Sequence, residues 1–441
     1  MLAYLKRFIH NAKSHQGFRR HFSNISWMFV ERILRLLAGL LVGIWVARYL
    51  GPSQFGIFSY AVAFVSIFSS FAKLGLDSIL VRNLTNEPAN RDAYMGTAFW
   101  LKLIGAIAML AVIGVTIQFS TSDSTTKLFV LIIASGGIFQ AFEVVDFYFQ
   151  SQVLSKFVSI CKMTQLLISS LAKLYLMFIG ADLFWFVLVS LVDQATLAIS
   201  LYFAYRYQRI GQFFRSFDWA IAKNLLKDSW PLILASFVLM IQARVDQVML
   251  KEMVSDTELG YYSSAIKIIE IFNFIPMAIT TSLFPAIVNA KKTSKELYIF
   301  RLEWLYRAMM FLFLIVAIPI FFFGTQVIVF LYKDAYAPAG MLFSLMGLRL
   351  FFANYGVVRS AYLINENLIK YSFITMLAGM VVNILFNCYL IPIYHSKGAI
   401  YSSIISFFVT TFLIDLIYSK TRFNAILMIK SFFFMKLSGT K

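Results

Sequence analysis

The sequence predicts an all-α polytopic membrane protein, with about twelve transmembrane helices arranged as two six-helix lobes around a central lumen. Of its 441 residues, 60% are hydrophobic and only 14% are charged, so the chain is far more apolar than a soluble domain. The apolar residues form long runs, each able to cross a hydrocarbon core of about 30 Å. The second half of the chain echoes the first, which predicts two lobes of similar construction.

The first two predicted helices meet at a polar turn. Trp27–Tyr49 is long enough to cross the membrane at about 1.5 Å per residue, and Phe55–Leu76 is long enough to cross back. Gly51 and Pro52 lie between them. Because glycine tolerates positive φ and proline cannot continue the first helix, this pair predicts the reversal of the chain.

Ten further apolar runs bring the predicted number of spans to twelve. The predicted spans are about 25–48, 55–77, 94–118, 127–149, 157–179, 183–205, 229–251, 260–288, 305–323, 339–363, 370–392 and 397–418. Lys and Arg are concentrated in alternate connecting segments, beginning with the N-terminus. By the positive-inside rule, both termini and the loop 206–227 are predicted to be cytoplasmic, as in a multi-pass protein of the cell inner membrane.

The middle loop divides the chain into two similar halves. Phe55–Tyr60 in the first half is echoed by Leu259–Ser264 in the second. Two six-helix halves of the same orientation imply a pseudo-two-fold axis along the membrane normal. The predicted organisation is a basic cytoplasmic N-terminus (1–24), an N-lobe (25–205), a cytoplasmic linker (206–228), a C-lobe (229–418) and a cytoplasmic tail (419–441).

The first span carries charge inside the apolar run. Arg32 and Arg35 lie three residues apart on one helix face, and Glu31 precedes Arg35 by four residues. A charge near mid-membrane costs about 2.5 to 3.5 kcal/mol on insertion scales, so these residues are expected to face a bundle interior or a wet cavity. The alternative is an ion pair between Glu31 and Arg35 that only holds helices together.

Six basic residues are predicted to form a cationic track across the membrane. They are Arg32, Arg35, Arg244, Lys267, Arg349 and Arg359. Guanidinium groups suit a diphosphate because their donors fork onto phosphate oxygens and stay charged at any relevant pH. For each cation taken singly, a structural ion pair or a side chain that snorkels to the interface is the alternative.

Acidic residues also lie in the same zone. Among them are Glu31, Asp246 and Glu270. Glu270 is also placed to pair with Lys267, three residues away, and Lys73 with Asp77, four residues away.

Pro276 lies inside the eighth span, where it removes a helix hydrogen bond and favours a kink. We predict that this span bends there during transport, and a static kink is the alternative.

The sequence lacks the motifs of enzymes that bind nucleotides, zinc or acyl groups. It contains no G-x-x-x-x-G-K-[ST], no H-E-x-x-H and no G-x-S-x-G. All four histidines lie outside the predicted spans, which argues against a metal site. A transporter without a cofactor is therefore predicted, driven by a gradient, by the membrane potential or by consumption of its product.

Six groups of segments along the chain form a recognisable set of motifs. They are Arg35 with Arg48–Gly56, Leu74–Ile79 with Val81 and Arg82, Gln140–Phe142 with Phe149–Ser151, Arg244–Leu250, Glu270–Pro276, and Val358–Ser360 with Ile364–Asn367. In these segments the chain resembles the Wzx-type polysaccharide flippases, the polysaccharide transporter branch of the multidrug/oligosaccharidyl-lipid/polysaccharide exporter superfamily.

The resemblance implies a twelve-helix fold with two lobes around a lumen. It also implies movement of undecaprenyl-diphosphate-linked oligosaccharide repeat units, of O-antigen or capsule type, from the cytoplasmic to the periplasmic leaflet. A further implication is ion-coupled antiport, with H⁺ or Na⁺ as the ion and Glu31, Asp246 and Glu270 as candidate coupling residues. Contact of basic lumen residues with the anionic head group is also implied. Carried onto this chain, the best matched candidates are Arg32, Arg35, Arg244 and Arg359. A polysaccharide polymerase and a chain-length regulator are candidate partners, besides membrane lipids.

Three other functions compete with this interpretation. A cation-coupled exporter of drugs or organic cations from the same superfamily would favour an acidic cavity, which the arginines argue against. A membrane glycosyltransferase or polymerase would carry a larger extramembrane loop than the short loops predicted here. A lipid II flippase would share the fold, and only the closer motif resemblance argues against it.

Overall fold

The computed structural model describes residues 16–208 and 213–433 of the chain, and only the backbone of residues 16–26, 28 and 29. The described part consists of helices joined by short turns. The helices are α1 (Gln16–Lys73), α2 (Asp77–Asn86), α3 (Arg91–Thr116), α4 (Ser124–Ser135), α5 (Glu143–Ser151), α6 (Ser155–Phe178), α7 (Leu183–Tyr207), α8 (Trp219–Met253), α9 (Asp256–Phe272), α10 (Phe274–Thr293), α11 (Lys295–Tyr332), α12 (Pro338–Met346), α13 (Arg349–Asn365), α14 (Ile369–Tyr394), α15 (Ser396–Phe408), α16 (Ile414–Ile417) and α17 (Ser419–Phe432). Short 3₁₀ segments and one π-helical turn, Val409–Leu413, join some of them.

Within the described residues, eleven helical segments are long and apolar enough to cross a membrane. The first of them, Val30–Asn86, contains 57 residues. A straight helix of that length would extend about 86 Å, nearly three times the thickness of a hydrocarbon core. It is interrupted at Gly51, whose φ of 72° and ψ of 171° are not helical. Counted as two spans, it brings the number to the twelve predicted, and the all-α multi-pass fold is confirmed.

Parts of the predicted termini lie outside the described residues. These are 1–15 of the basic N-terminus and 434–441 of the C-terminal tail, together with linker residues 209–212. The cytoplasmic location of both ends therefore stays a prediction.

The chain forms two compact units, which we call the first unit (residues 1–43 and 65–237) and the second unit (44–64 and 238–441). The part of α1 that surrounds Gly51 thus packs in the second unit, although its sequence position places it in the predicted N-lobe. Arg48 connects this part of α1 to the end of α11. Its guanidinium donates one hydrogen bond to the carbonyl oxygen of Leu331 and another, of 2.7 Å, to that of Phe330. The predicted lobe boundaries otherwise stay a prediction.

Each unit has an apolar core of its own. In the first unit, α2, α3 and α5 meet around Leu80, Met95 and Val144, all fully buried. In the second unit, α11 and α13 meet around Met309 and Val358, also fully buried. These cores hold the polar side chains of neighbouring turns in defined positions.

Two glycines that the repeat places at corresponding positions, Gly56 on α1 and Gly260 on α9, allow a close crossing in the second unit. A Cβ atom at Gly56 would lie 1.8 Å from the carbonyl oxygen of Asp256, and one at Gly260 would lie 1.9 Å from that of Pro52. Both neighbours are backbone atoms, which cannot rotate away. The glycines therefore set how closely α1 and α9 approach.

We expect Gly260→Ala to destabilise the protein by about 1 to 3 kcal/mol or more, because the methyl group must push two backbones apart. The melting temperature of the purified protein measures this. Gly356→Ala on α13 is the matched control, since a Cβ there meets nothing within 4 Å. Equal melting temperatures for the two variants would contradict the close crossing.

Candidate functional site

Three of the predicted cations lie in the second unit. Arg244 lies within α8, and Lys267 lies within α9, which ends at Phe272 and is separated from α10 by Asn273 alone. Arg349 is the first residue of α13, just after a turn that ends α12. Such interruptions within membrane spans are tolerated where the freed backbone faces protein or a cavity.

The second unit contains two cavities at these side chains. We call them the Arg349 cavity, of about 180 Å³, and the Arg244 cavity, of about 170 Å³. Ile266 and Glu270 line both, so the cavities adjoin. Other polar and aromatic side chains on the walls are Gln242, Asn273 and Phe407 in the Arg349 cavity, and Phe55, Ser59, Gln247, Ser263 and Lys267 in the Arg244 cavity.

Glu270 is the carboxylate that the two cavities share. Its Oε1 accepts a hydrogen bond from Nη1 of Arg244 at 2.9 Å, so the pair is formed between α8 and α9. Sequence spacing had predicted Lys267 as the partner of Glu270. The Lys267 ammonium lies 5.8 Å from the centre of the Phe55 ring, and the Arg349 guanidinium lies 5.5 Å from that of Phe407, distances typical of cation–π contacts.

Asp246 follows Arg244 by two residues and does not line the cavities, and only 2% of its surface is exposed. Its carboxylate accepts hydrogen bonds from Tyr262 at 2.9 Å, from the amide of Asn387 at 2.8 Å and from the hydroxyl of Ser403. Tyr262 in turn accepts a hydrogen bond from Arg349 at 3.0 Å. Arg349 is thereby connected to Asp246 through one hydroxyl group.

The surroundings of Asp246 fit a proton or a small cation. Its donors are neutral, and the side-chain oxygen of Asn387 is buried without a hydrogen-bond partner among the described residues. Asn383 lies one turn before Asn387 on α14 and is also buried. Carboxylate, amide and hydroxyl oxygens are ligands suited to hard cations, and a carboxylate can also be neutralised by a proton.

Arg359 is placed differently from the other predicted cations. It is 8% exposed and donates two hydrogen bonds to the Asp415 carboxylate, from Nε at 2.8 Å and from Nη2 at 2.7 Å. Nη2 also donates to Thr375 at 3.2 Å. Arg359 does not line the Arg349 cavity or the Arg244 cavity. Its carboxylate partner lies 56 residues away in the chain, so no helical spacing could have indicated this pair.

Glu31, Arg32 and Arg35 belong to the first unit. Glu31 is buried and its Oε1 lies 3.0 Å from Nε of Arg35, so the ion pair considered from the sequence is formed. Arg32 and Arg35 are exposed on α1.

The first unit also contains ion pairs that sequence reasoning did not assign. Lys102 on α3 contacts Glu143 on α5 at 2.7 Å, Lys162 on α6 contacts Asp146 on α5 at 2.7 Å, and Lys173 on α6 contacts Asp193 on α7 at 3.1 Å. Lys102 was not among the predicted intramembrane cations, although it is fully buried. A lone lysine flanked by apolar residues was the signal that could have found it.

Pro276 lies in the first turn of α10, three residues after Asn273, and is buried. The kink at Pro276 and its bending stay a prediction.

Comparison with known proteins identifies the family. The model of the family described as "Polysaccharide biosynthesis protein" matches residues 22–291, more than half of the chain. No match was found among curated protein sequences. Three solved structures illustrate the likeness of fold.

A multidrug resistance MATE family transporter of the MOP superfamily, in an inward-facing conformation, has a TM-score of 0.71 at 14% identity, with 92% of this chain and 99% of that chain covered. The lipid II flippase MurJ, in an inward closed conformation, has a TM-score of 0.68 at 14% identity, with 93% and 91% covered. A MOP superfamily transporter from Pyrococcus furiosus, described as having a binding pocket of reverse polarity, has a TM-score of 0.57 at 13% identity, with 93% and 96% covered.

These structures confirm the predicted fold of the MOP superfamily transporters, and their low identities carry no more than the fold. The helices that can span a membrane agree with this multi-pass fold. The match over residues 22–291 shows the family: this chain belongs to the polysaccharide biosynthesis protein family.

Proposed function

We propose that the protein moves undecaprenyl-diphosphate-linked oligosaccharide repeat units from the cytoplasmic to the periplasmic leaflet of the inner membrane by alternating access. Such a substrate is amphipathic, with a diphosphate between its lipid and its sugars. The family and the fold support a transporter of lipid-linked glycans. The single observation that carries the choice of head group is the charge of the two adjoining cavities in the second unit.

The walls of these cavities carry Arg244, Lys267 and Arg349 against one carboxylate, that of Glu270. Their net charge is positive, and guanidinium donors bind phosphate oxygens in pairs. We propose that these three cations contact the diphosphate. Arg359 is left out, because it is buried and lines neither cavity.

Asp246 is our proposed coupling residue, for H⁺ or Na⁺. A change in the occupancy of Asp246 would reach the Arg349 cavity through Tyr262, which hydrogen-bonds both residues. Loading of the ion at Asp246 would thereby alter how Arg349 is held against the substrate.

An exporter of organic cations is the alternative that the fold allows, since the MATE transporter above is described as a multidrug resistance protein. Glu270 is the cavity residue that would attract a cation, but Arg244 pairs with it at 2.9 Å. A lipid II flippase is the other alternative, since MurJ has the same fold. Neither of these alternative functions predicts that deletion of the gene traps lipid-linked repeat units on the cytoplasmic leaflet.

The proposal is tested in cells that lack the gene and have no second flippase. We expect loss of surface polysaccharide, with lipid-linked repeat units trapped on the cytoplasmic leaflet, and full recovery with the wild-type gene. Arg349→Ala should lower the flipping rate about tenfold or more, because one charge-assisted hydrogen bond is worth about 1.5 to 3 kcal/mol. Arg244→Ala should act in the same direction.

Lys292→Ala, which removes an exposed cation from the end of α10, is the matched control and should display normally. Protein levels are compared by immunoblot. Normal display in the deletion strain would contradict the proposed function and favour drug export. Normal display with Arg349→Ala and Arg244→Ala at wild-type protein levels would contradict only the role of the two cavities.

A further inference from the structure

The first unit contains a larger polar cleft that the proposed diphosphate site does not use. Its volume is about 640 Å³, and we call it the first-unit cleft. The lining residues are Lys73, Asp77, Ser78, Val81, Arg82, Glu143, Asp146, Phe147 and Gln150. They come from the end of α1, from α2 and from α5.

The backbone between α1 and α2 turns sharply and brings these side chains to one wall. Leu74 and Gly75 both have positive φ, 55° and 57°, which ends α1 and starts α2 two residues later. Because of this break, Lys73 and Asp77 belong to different helices and do not form the helical pair that their spacing predicted. Both side chains line the wall of the cleft. Asp77 and Ser78 are exposed in the first turn of α2.

The charges of the first-unit cleft balance one another. Glu143 is paired with the buried Lys102 at 2.7 Å. Asp146 accepts hydrogen bonds from Lys162 at 2.7 Å and from Gln150 at 2.8 Å.

Among the remaining charges, Arg82 is paired with Asp228 at 3.1 Å, and Lys73 is offset by Asp77 on the same wall. The cleft is therefore close to neutral, yet rich in both donors and acceptors.

This chemistry suits a neutral polyhydroxylated ligand better than an anion. Hydroxyl groups donate to carboxylates and accept from ammonium, guanidinium and amide groups, so both kinds of wall residue find partners. A diphosphate would find no excess of positive charge in this nearly neutral cleft, and it has no donors for the carboxylates of Asp77 and Asp146. Phe147 adds an apolar ring that can lie against the face of a sugar.

The volumes of the cavities also favour a carbohydrate ligand for the first-unit cleft. Small-molecule sites have volumes of about 300 to 1,000 Å³. The first-unit cleft, at about 640 Å³, lies within this range, whereas the Arg349 cavity, at about 180 Å³, and the Arg244 cavity, at about 170 Å³, lie below it. The cleft is the one of these three that has room for several sugar rings.

We propose that the first-unit cleft is a carbohydrate subsite that binds the sugar portion of the lipid-linked oligosaccharide through the side chains of Asp77, Ser78 and Gln150. The identity of the ligand as this oligosaccharide rests on the proposed function. In this proposal the cleft contacts sugar hydroxyl groups and takes no part in recognition of the diphosphate.

The test uses the purified full-length protein in detergent and the oligosaccharide released by mild acid from the lipid carrier of the source cells. Saturation-transfer NMR titration measures its dissociation constant. We expect Asp77→Asn and Ser78→Ala each to raise this constant severalfold, and the double variant to raise it about tenfold or more, because hydrogen bonds to the hydroxyl groups are lost. Both residues are exposed, so the variants should fold normally.

Ser190→Ala is the matched control, because its hydroxyl bonds only within α7, to the carbonyl of Phe186 at 3.3 Å, and does not line the cleft. Binding of inorganic pyrophosphate and of tetraphenylphosphonium is measured beside that of the glycan. The proposal predicts that the double variant binds pyrophosphate and tetraphenylphosphonium with the same dissociation constants as the wild type.

Each contrary result overturns the proposal. Absence of glycan binding by the wild type, or equal glycan affinity in the double variant, would remove the carbohydrate subsite. Loss of pyrophosphate or tetraphenylphosphonium binding in the double variant would reassign the cleft to an anion or an organic cation. Glycan binding that depends on the cleft, combined with normal polysaccharide display in the deletion strain, would contradict the proposed transport and leave the subsite in place.

Discussion

Replacing Asp415 with leucine is expected to lower the free energy of unfolding by about 3 to 5 kcal/mol, because it leaves the Arg359 guanidinium buried without its carboxylate. Asp415 is fully buried and receives two hydrogen bonds from Arg359 and one from Tyr371 at 2.8 Å. No water in the apolar surroundings can replace those acceptors. The melting temperature and the yield of the purified protein measure the loss.

A double-variant cycle separates the ion pair from simple loss of packing. We expect the combination Arg359→Met with Asp415→Leu to recover much of the stability, because apolar residues of similar volume can replace a buried pair. Asp228→Ala is the control, since its pair with Arg82 is about half exposed and should contribute less than about 1 kcal/mol. If Asp415→Leu lowers the melting temperature no more than Asp228→Ala does, the fold does not depend on the ion pair between Arg359 and Asp415.

Neutralising Asp246 is expected to uncouple transport from its driving ion. In proteoliposomes, the flipping rate of the wild type should respond to an imposed H⁺ or Na⁺ gradient, and Asp246→Asn should remove that response. The reason is that the amide carries no charge for a proton or a cation to neutralise, while its volume is unchanged. The buried carboxylate is held by Tyr262, Asn387 and Ser403, so the substitution is expected to leave these elements packed.

The control for this experiment is Asp334→Asn, which changes an exposed carboxylate of the same unit. Its response to the gradient should equal that of the wild type. A normal gradient response in Asp246→Asn would remove Asp246 from the coupling mechanism. Comparing the H⁺ and Na⁺ gradients in the wild type identifies which ion is coupled.

The two results would assign different roles to two buried carboxylates of the second unit. Asp415 is bound by a charged arginine and stabilises the packing of α13 against the end of the chain. Asp246 is bound by neutral donors and lies next to an unsatisfied amide oxygen. The charge of Asp415 is compensated by Arg359, whereas the groups that donate directly to Asp246 carry no charge.

The sequence by itself determined the class of the protein, the positions of its spans and the interruption at Gly51. Span length and apolar composition follow directly from the thickness of the membrane, and glycine followed by proline prevents a continuous helix. For the same reason, the intramembrane positions of Arg244, Lys267 and Arg349 could be predicted. Insertion of a charge is costly wherever it occurs, so its presence in an apolar run is informative.

Only the tertiary structure decided how these charges are used. Arg359 binds Asp415, Arg244 binds Glu270 and Lys102 binds Glu143, and each partner lies on another helix. Spacing along one helix predicts neighbours three or four residues away, but it carries no information about which helices touch. The ion pairs, the two cavities of the second unit and the first-unit cleft therefore depend on helix packing, because side chains distant in sequence create them.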